Sequence, residues 1–361
     1  MNEVNRSVKL KITVLSPIHI GCGEELDPTG YVVDEKGMLN VIVLNRLIEM
    51  SGESGRKIIE DAVRQRNIGR LRAAIREVFI SSGDQSCILR KADASPEFLE
   101  IYNAEIGKAN VDNALVFKAF SSSMGRAFIP GSSLKGALRT GIVDLAFNKV
   151  LKEEERKLFL NDRNVEAETL KYMAVKRNGK KQPKIELDPF KKLKVRDAML
   201  PGKSTTICMM HNKSASGKGK GIPVALEVIK AGTEFEVDVT IAEYGESAKS
   251  DYFEKKKFPL ALQYWSGEVR KKAQKEYQRL KEFSGLSSGE RDKLKAFYDS
   301  VEKCEGFLNR IGFGSGYDFM TVESFRNMKN PVKGKPGMGW GYSKNIVEGS
   351  LPLGFIKIQV T

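Results

Sequence analysis

From Pro130 to Thr140 the chain reads Pro-Gly-Ser-Ser-Leu-Lys-Gly-Ala-Leu-Arg-Thr, an order of residue types suited to holding an anion. Pro130-Gly131 stops a preceding apolar run, and Ser132 or Ser133 is a good N-cap for the helical pattern that follows. Lys135 and Arg139 lie four apart, on one helical face and within the first two turns. Backbone N–H groups, two hydroxyls and two cations thus converge where the helix dipole is positive, which suits phosphate. Gly131 and Gly136 leave room for a close backbone approach. A capped amphipathic helix with two solvated cations would present the same pattern.

Other groups of residues could do chemistry. Arg310-Ile311-Gly312-Phe313-Gly314-Ser315-Gly316 carries three alternating glycines, which permit positive φ and bring N–H groups to a phosphate, or simply make a tight turn. Gly337-Met338-Gly339-Trp340-Gly341-Tyr342 is a second such loop, in which Trp340 and Tyr342 are candidates for base stacking. Two basic loops, Arg177 to Lys184 with Lys180 and Lys181, and Lys213 to Gly221 with Lys218 and Lys220, are candidates for RNA-backbone contacts. His19 is a weak candidate for a general base or an RNA ligand, and equally a turn histidine hydrogen-bonded to backbone. His19-x-x-Cys22 and Cys208-x-x-His211 would together make a two-Cys, two-His zinc site, but they are far apart and neither half is diagnostic, so no metal is expected.

Composition narrows the partner class. The 361 residues hold 41% hydrophobic and 29% charged side chains, an ordinary globular balance with chain for two or three compact units. The net charge of +14 and pI near 9.4 make a polyanion the leading partner. Residues 176–222 carry much of that excess, with thirteen Lys or Arg against three Asp or Glu. Four scattered cysteines do not form a disulfide framework. No run of 18 apolar residues exists, so neither a membrane span nor a signal peptide is expected and the cytoplasm is the expected compartment. Phosphate-loop, dinucleotide, H-E-x-x-H and nucleophile-elbow motifs are missing, and no cofactor is expected.

These groups need elements to position them. Val8, Leu10, Ile12 and Val14 alternate with Lys9, Lys11 and Thr13 as in a half-buried strand. Val32-Val33 and Val41 to Val43 read as strands before a helix capped by Asn45. A helical stretch follows whose Arg64, Arg66, Arg70, Arg72 and Arg76 suit a solvated face. Residues 81–112 carry no clear pattern. The run 114–120 leads into the central motif, whose Leu134, Leu138, Ile142 and Leu145 form one apolar stripe. Residues 224–229 and 234–241 read as a hairpin around Lys230 to Thr233. Residues 246–305 read as helices with a core-forming aromatic stripe, and 356–360 as a closing strand.

The string Ile129-Pro130-Gly131-Ser132-Ser133-Leu134-Lys135-Gly136-Ala137-Leu138-Arg139 closely resembles the signature of the RAMP superfamily of CRISPR-associated RNA-binding proteins. Ser16-Pro17-Ile18-His19-Ile20-Gly21 and the 310–316 glycine loop resemble other motifs of that family, with Cys22 where Ser or Thr is usual. Asp188-Pro189-Phe190 with Leu193 to Asp197, and Glu227 to Phe235, resemble its Csm branch, found in type III-A CRISPR effector complexes. The resemblance implies an α+β protein of RRM-like, ferredoxin-like RAMP domains with helical insertions. The expected division is 1–175 and a more divergent 176–361 carrying the basic loops, the 246–305 helices and the glycine loop. It also implies a non-catalytic RNA-binding subunit that caps the 3′ side of CRISPR RNA, contacts the adjacent backbone RAMP subunit and other Csm subunits, and is linked to 3′-end maturation by a trimming nuclease. On that reading RNA contacts come from Gly131, Ser132, Ser133, Lys135, Arg139, His19, Lys180, Lys181, Lys218, Lys220, Arg310, Gly312, Gly314 and Gly316. The alternatives are a metal-independent endoribonuclease with His19 as base, and cleavage of target RNA by a carboxylate with a divalent ion.

Overall fold

Strand β1 (Val4–Val14) buries Leu10, Ile12 and Val14 and leaves Lys9 at the surface, as its alternation requires. The structure, a computed structural model, describes residues 4–108, 115–159, 164–217, 221–243, 257–320, 322–325, 343–347 and 351–361. On one side β1 pairs antiparallel with β15 (Glu234–Glu243), and on the other with β19 (Phe355–Val360). β11 (Leu193–Val195) and β16 (Phe307–Arg310) complete a five-stranded sheet of order β11-β15-β1-β19-β16.

A second, nine-stranded sheet runs β2 (Gly21–Leu26), β6 (Phe117–Phe120), β14 (Val224–Ile229), β13 (Thr205–Ser214), β5 (Ile88–Ala94), β4 (Leu39–Ile42) and β3 (Tyr31–Val33), with β17 (Ser343–Val347) and β18 (Leu351–Pro352) beside β13. A small sheet of order β12-β8-β7 joins β7 (Ser122–Ser123), β8 (Arg126–Ile129) and β12 (Ala198–Met199). Both larger sheets take strands from either side of residue 175, so a boundary there cuts through each of them.

The expected hairpin at 224–241 does not form. β14 pairs with β13 and β6, whereas β15 pairs with β1 and β11, so the connection carries the chain from one sheet to the other. Ala225 through Ile229 are all buried, as a strand covered on both faces requires, whereas β15 faces a core on one side only. Gly232, at φ +84°, donates to Val14 O at 2.8 Å, and Lys230 N–H to Ser204 O at 2.9 Å, which satisfies the crossing backbone.

The central motif forms helix α5 (Gly131–Leu145), whose Leu134, Leu138 and Ile142 enter one core with Leu10, Ile12, Val14 and Ile311. Its Gly141 lies against Trp265, where a Cβ would stand 2.5 Å from the indole. Trp265 belongs to α8 (Lys257–Leu280), which packs with α9 (Ser288–Lys303) around Leu280, Phe297, Tyr298 and Val301, so the aromatic stripe there is core. Beyond α5 come a π-helical turn at Ala146–Val150, α6 (Glu153–Phe159) and α7 (Val165–Thr169).

Other departures are local. Helix α1 (Leu44–Met50) starts at Leu44 without a side-chain cap, so Asn45 lies inside it. Of the five arginines on or between the next helices, α2 (Gly52–Arg64) and α3 (Ile68–Ser82), Arg72 is buried in an ion pair with Asp27 at 3.2 Å and Arg76 donates to Val33 O. The patternless 81–112 stretch holds β5 and α4 (Pro96–Glu105), capped by Ser95. No helix among the described residues is long and apolar enough to cross a membrane.

Candidate nucleic-acid interface

Two sequence motifs, Ile129 to Arg139 and Asp188 to Asp197, form one structural unit at the start of α5. Strands β8 and β12 pair Ile129 with Ala198 and Phe128 with Met199, which brings 193–199 against the Pro130 turn. A Cβ on Gly131 would lie 2.1 Å from Val195 O, so only glycine fits there. The cap of α5 is neither serine: Asp197 Oδ1 accepts the Gly131 N–H at 2.7 Å. A protein carboxylate therefore already occupies part of the anion-attracting helix end. Ser132 is exposed and Ser133 half-buried, with the Ser133 N–H directed to Pro130 O at 2.9 Å.

Arg139 is committed inside the protein. Its guanidinium pairs with Glu166 at 2.6 Å and with Asp188 at 2.9 Å, donates to Tyr172 Oη at 3.3 Å, and stacks 4.6 Å from the Phe190 ring centroid. Burial alone would lower its pKa, but Glu166 and Asp188 outweigh that and raise it. The arginine thus ties α7 and the Asp188-Pro189-Phe190 turn to α5. It also fixes Tyr172, whose carbonyl accepts the Lys184 N–H at 2.8 Å at the base of a short hairpin, β9 (Met173–Val175) and β10 (Lys181–Pro183). Lys180 and Lys181 are exposed on that hairpin, which is an ordered turn around Gly179. Lys218 and Lys220 lie outside the described residues, as does the Gly337 to Tyr342 loop.

Lys135 is different. It is half-buried, no side chain among the described residues bonds its Nζ, and its pKa is lowered by burial, with Asp188 opposing that shift and Arg139 adding to it. A cation one turn into a helix, with no side-chain partner among the described residues, is suited to meet a phosphate.

The residues of the 310–316 loop serve packing instead. Arg310 is 2% exposed; it pairs with Glu276 at 2.9 Å, donates to Leu353 O at 2.7 Å and stacks on Phe355 and Phe319, which makes it a core cation. Lys344 Nζ and Tyr298 Oη also reach Glu276, at 3.0 and 2.6 Å. Burial opposes ionisation of Glu276, yet Arg310 and Lys344 hold its pKa at about 2. Gly312, Gly314 and Gly316 all have positive φ, as their spacing requires. Gly312 and Gly314 serve close packing: added Cβ atoms would stand 2.5 Å from His19 O and 2.6 Å from Leu353. The Phe313 N–H donates to His19 O at 2.8 Å, so the glycine loop rests on the turn after β1.

His19 is the hydrogen-bonded turn histidine. It is 3% exposed and its Nδ1 meets Glu227 O at 2.7 Å; a carbonyl only accepts, so Nδ1 carries the proton. Burial lowers its pKa against the pull of that bond. The zinc pattern does not assemble: His211 Nε2 bonds Glu97 at 2.7 Å, Cys208 is buried in the core, and no group of three possible ligands exists among the described residues.

A sequence model of the RAMP superfamily matches residues 11–317. The chain is 26% identical to the CRISPR system Cms protein Csm5 of Methanocaldococcus jannaschii over 331 residues, 88% of this chain and 73% of the relative. Two solved structures share the fold. A chain of the Csm–crRNA–target RNA ternary complex of a type III-A CRISPR-Cas system superposes with a TM-score of 0.68 at 21% identity, covering 98% of this chain and 100% of that one. The crystal structure of T. onnurineus Csm5 does so with 0.66 at 22%, covering 96% and 99%.

Proposed function

Because the chain belongs to the RAMP superfamily, we propose that it is an RNA-binding subunit of a type III-A CRISPR effector, a Csm5-like protein of antiviral defence. On this reading it binds CRISPR RNA without cutting it, caps the 3′ side, docks on the adjacent backbone RAMP subunit among other Csm subunits, and admits a trimming nuclease that matures the 3′ end in the cytoplasm. The observation that carries the proposal is Lys135, a half-buried cation in the first turns of α5 with no side-chain partner among the described residues, in a chain of net charge +14 that also exposes Lys180 and Lys181. Arg139 enters as the residue that positions this surface, and Arg310 as part of the core.

The alternative, a metal-independent endoribonuclease, rests on His19, whose bond to Glu227 O leaves Nε2 unprotonated as a base requires. One gel assay separates the two. The protein is incubated with 5′-labelled repeat-spacer RNA, with Mg²⁺ and with EDTA, over a salt series. A salt-sensitive shift without cleavage is expected. Cleavage in EDTA that His19→Ala abolishes would install the nuclease; cleavage only with Mg²⁺ would point to a carboxylate site; the absence of any shift would overturn RNA binding by the isolated chain.

A further inference from the structure

His19 lines a cavity, and its structural bond leaves one ring nitrogen over. His19, Gly21, Glu24, Glu25, Lys118 and Phe313 line a space of about 320 Å³, within the usual size range of small-ligand sites. The ring is held from behind by the Nδ1–Glu227 bond and edge-on by Phe120 and Phe313, at centroid distances of 6.4 and 6.0 Å. Nε2 has no protein partner among the described residues, although 97% of the residue is shielded from solvent. Phe313 sits on the glycine loop with 48% of its surface exposed, a large aromatic kept at the mouth of the cavity. Glu24 and Glu25 are also exposed, and Lys118 is paired with Glu25 at 3.1 Å.

The charge balance says what fits. Two carboxylates, with the local lysine neutralised by one of them, disfavour a phosphate in this space. An acceptor-only nitrogen and carboxylate oxygens call for N–H or O–H donors, and an exposed ring calls for a flat apolar face. A nucleobase with an exocyclic amine supplies both.

We propose that this cavity receives one unstacked nucleoside of the bound RNA, its base against Phe313 and its amine donating to His19 Nε2. The inference rests on the RNA-binding reading above and adds a base-contacting pocket to a backbone-contacting surface. Gly21 gives a direct handle, because a Cβ there would stand 3.0 Å from Nε2 at an ordinary backbone φ.

The test uses the full chain and short single-stranded oligouridines carrying one 2-aminopurine at successive positions, followed by fluorescence and by anisotropy over a salt series. One position should respond, and Phe313→Ala, Gly21→Ala and His19→Asn should each abolish that response. His19→Asn retains a donor for Glu227 O while removing Nε2. Loss of the stacked base should weaken binding at that position about tenfold and leave the salt slope unchanged. Salt-dependent binding with no position-specific response, or a response that survives Phe313→Ala, overturns the pocket and leaves the RNA reading standing. No salt-dependent binding overturns both. Cleavage next to the responsive position, lost in His19→Asn but kept in Phe313→Ala, would replace base recognition with catalysis.

Discussion

Asp197 accepts a 2.7 Å hydrogen bond from the backbone N–H of Gly131, 66 residues away in sequence, and so caps the helix that carries Lys135 with a negative charge. Charge and hydrogen bond have separable effects. Asp197→Asn keeps an acceptor and removes the charge that competes with phosphate, so RNA affinity at low salt should rise by about two- to fivefold. Asp197→Ala removes both and should cost about 1 kcal/mol of stability by denaturant unfolding. An unchanged affinity in Asp197→Asn would mean that RNA does not approach this helix end.

Lys135→Ala should lower affinity for single-stranded RNA and reduce the slope of log affinity against log salt by about 0.7, the contribution of one phosphate contact. Unfolding should be nearly unaffected, because no side chain among the described residues loses a bond. An unchanged slope removes Lys135 from the interface.

Arg139→Ala should behave in the opposite way. Glu166 and Asp188 would lose their counter-charge and Phe190 its stacking partner, which predicts a loss of about 1–3 kcal/mol. Arg139→Lys should recover little of it, since an ammonium cannot reproduce the fork to two carboxylates. Affinity should fall only as far as the basic hairpin is displaced. A folded, fully stable Arg139→Ala protein would refute the positioning role.

Glu276→Ala should be the most damaging single change considered, at about 3–5 kcal/mol, because Arg310 and Lys344 would remain buried with no carboxylate between them. Thermal unfolding of the variant against wild type measures it.

Two groups mark separate stages of the acid limb of stability. Glu276 has a folded pKa of about 2 against an ordinary value of 4.5, so its contribution is complete above 4.5 and is lost as pH falls toward 2. His19 has a folded pKa below its ordinary 6.5, so below that value the unfolded chain binds the proton first and stability again declines with falling pH. Denaturant midpoints should therefore drop in two stages on acidification, with the upper stage missing in His19→Asn. A single stage in wild type would contradict the His19 assignment.

Much of this was legible from residue order, but unevenly. The alternation of β1, the apolar stripe of α5 and the positive φ of the glycine loop are local properties and were readable. So was His19 as a backbone-bonded turn residue. Arg139 looked like a phosphate ligand because its partners, Glu166 and Asp188, lie 27 and 49 residues on, and no spacing rule couples them to it. Arg310 adjoins a glycine loop and looked equally available; only the arrival of Glu276 and two phenylalanines makes it a core residue. The lost hairpin has the same cause, since two adjacent strands with the right turn residues pair only if they enter the same sheet. The motif was recognisable as a family signature, while the division of labour within it, one lysine facing outward and one arginine tied inward, required the fold.

Strand β1 lies between β15 and β19, whose pairing residues are some 230 and 345 positions downstream. During synthesis at roughly 5–20 residues per second, β1 therefore waits tens of seconds for either neighbour. Leu10 and Ile12 emerge from the ribosome long before either strand that pairs with theirs, so this protein is a candidate client of nascent-chain chaperones. Ribosome-stalled chains ending before β15 should remain open to protease near β1, and those that have exposed β19 should not.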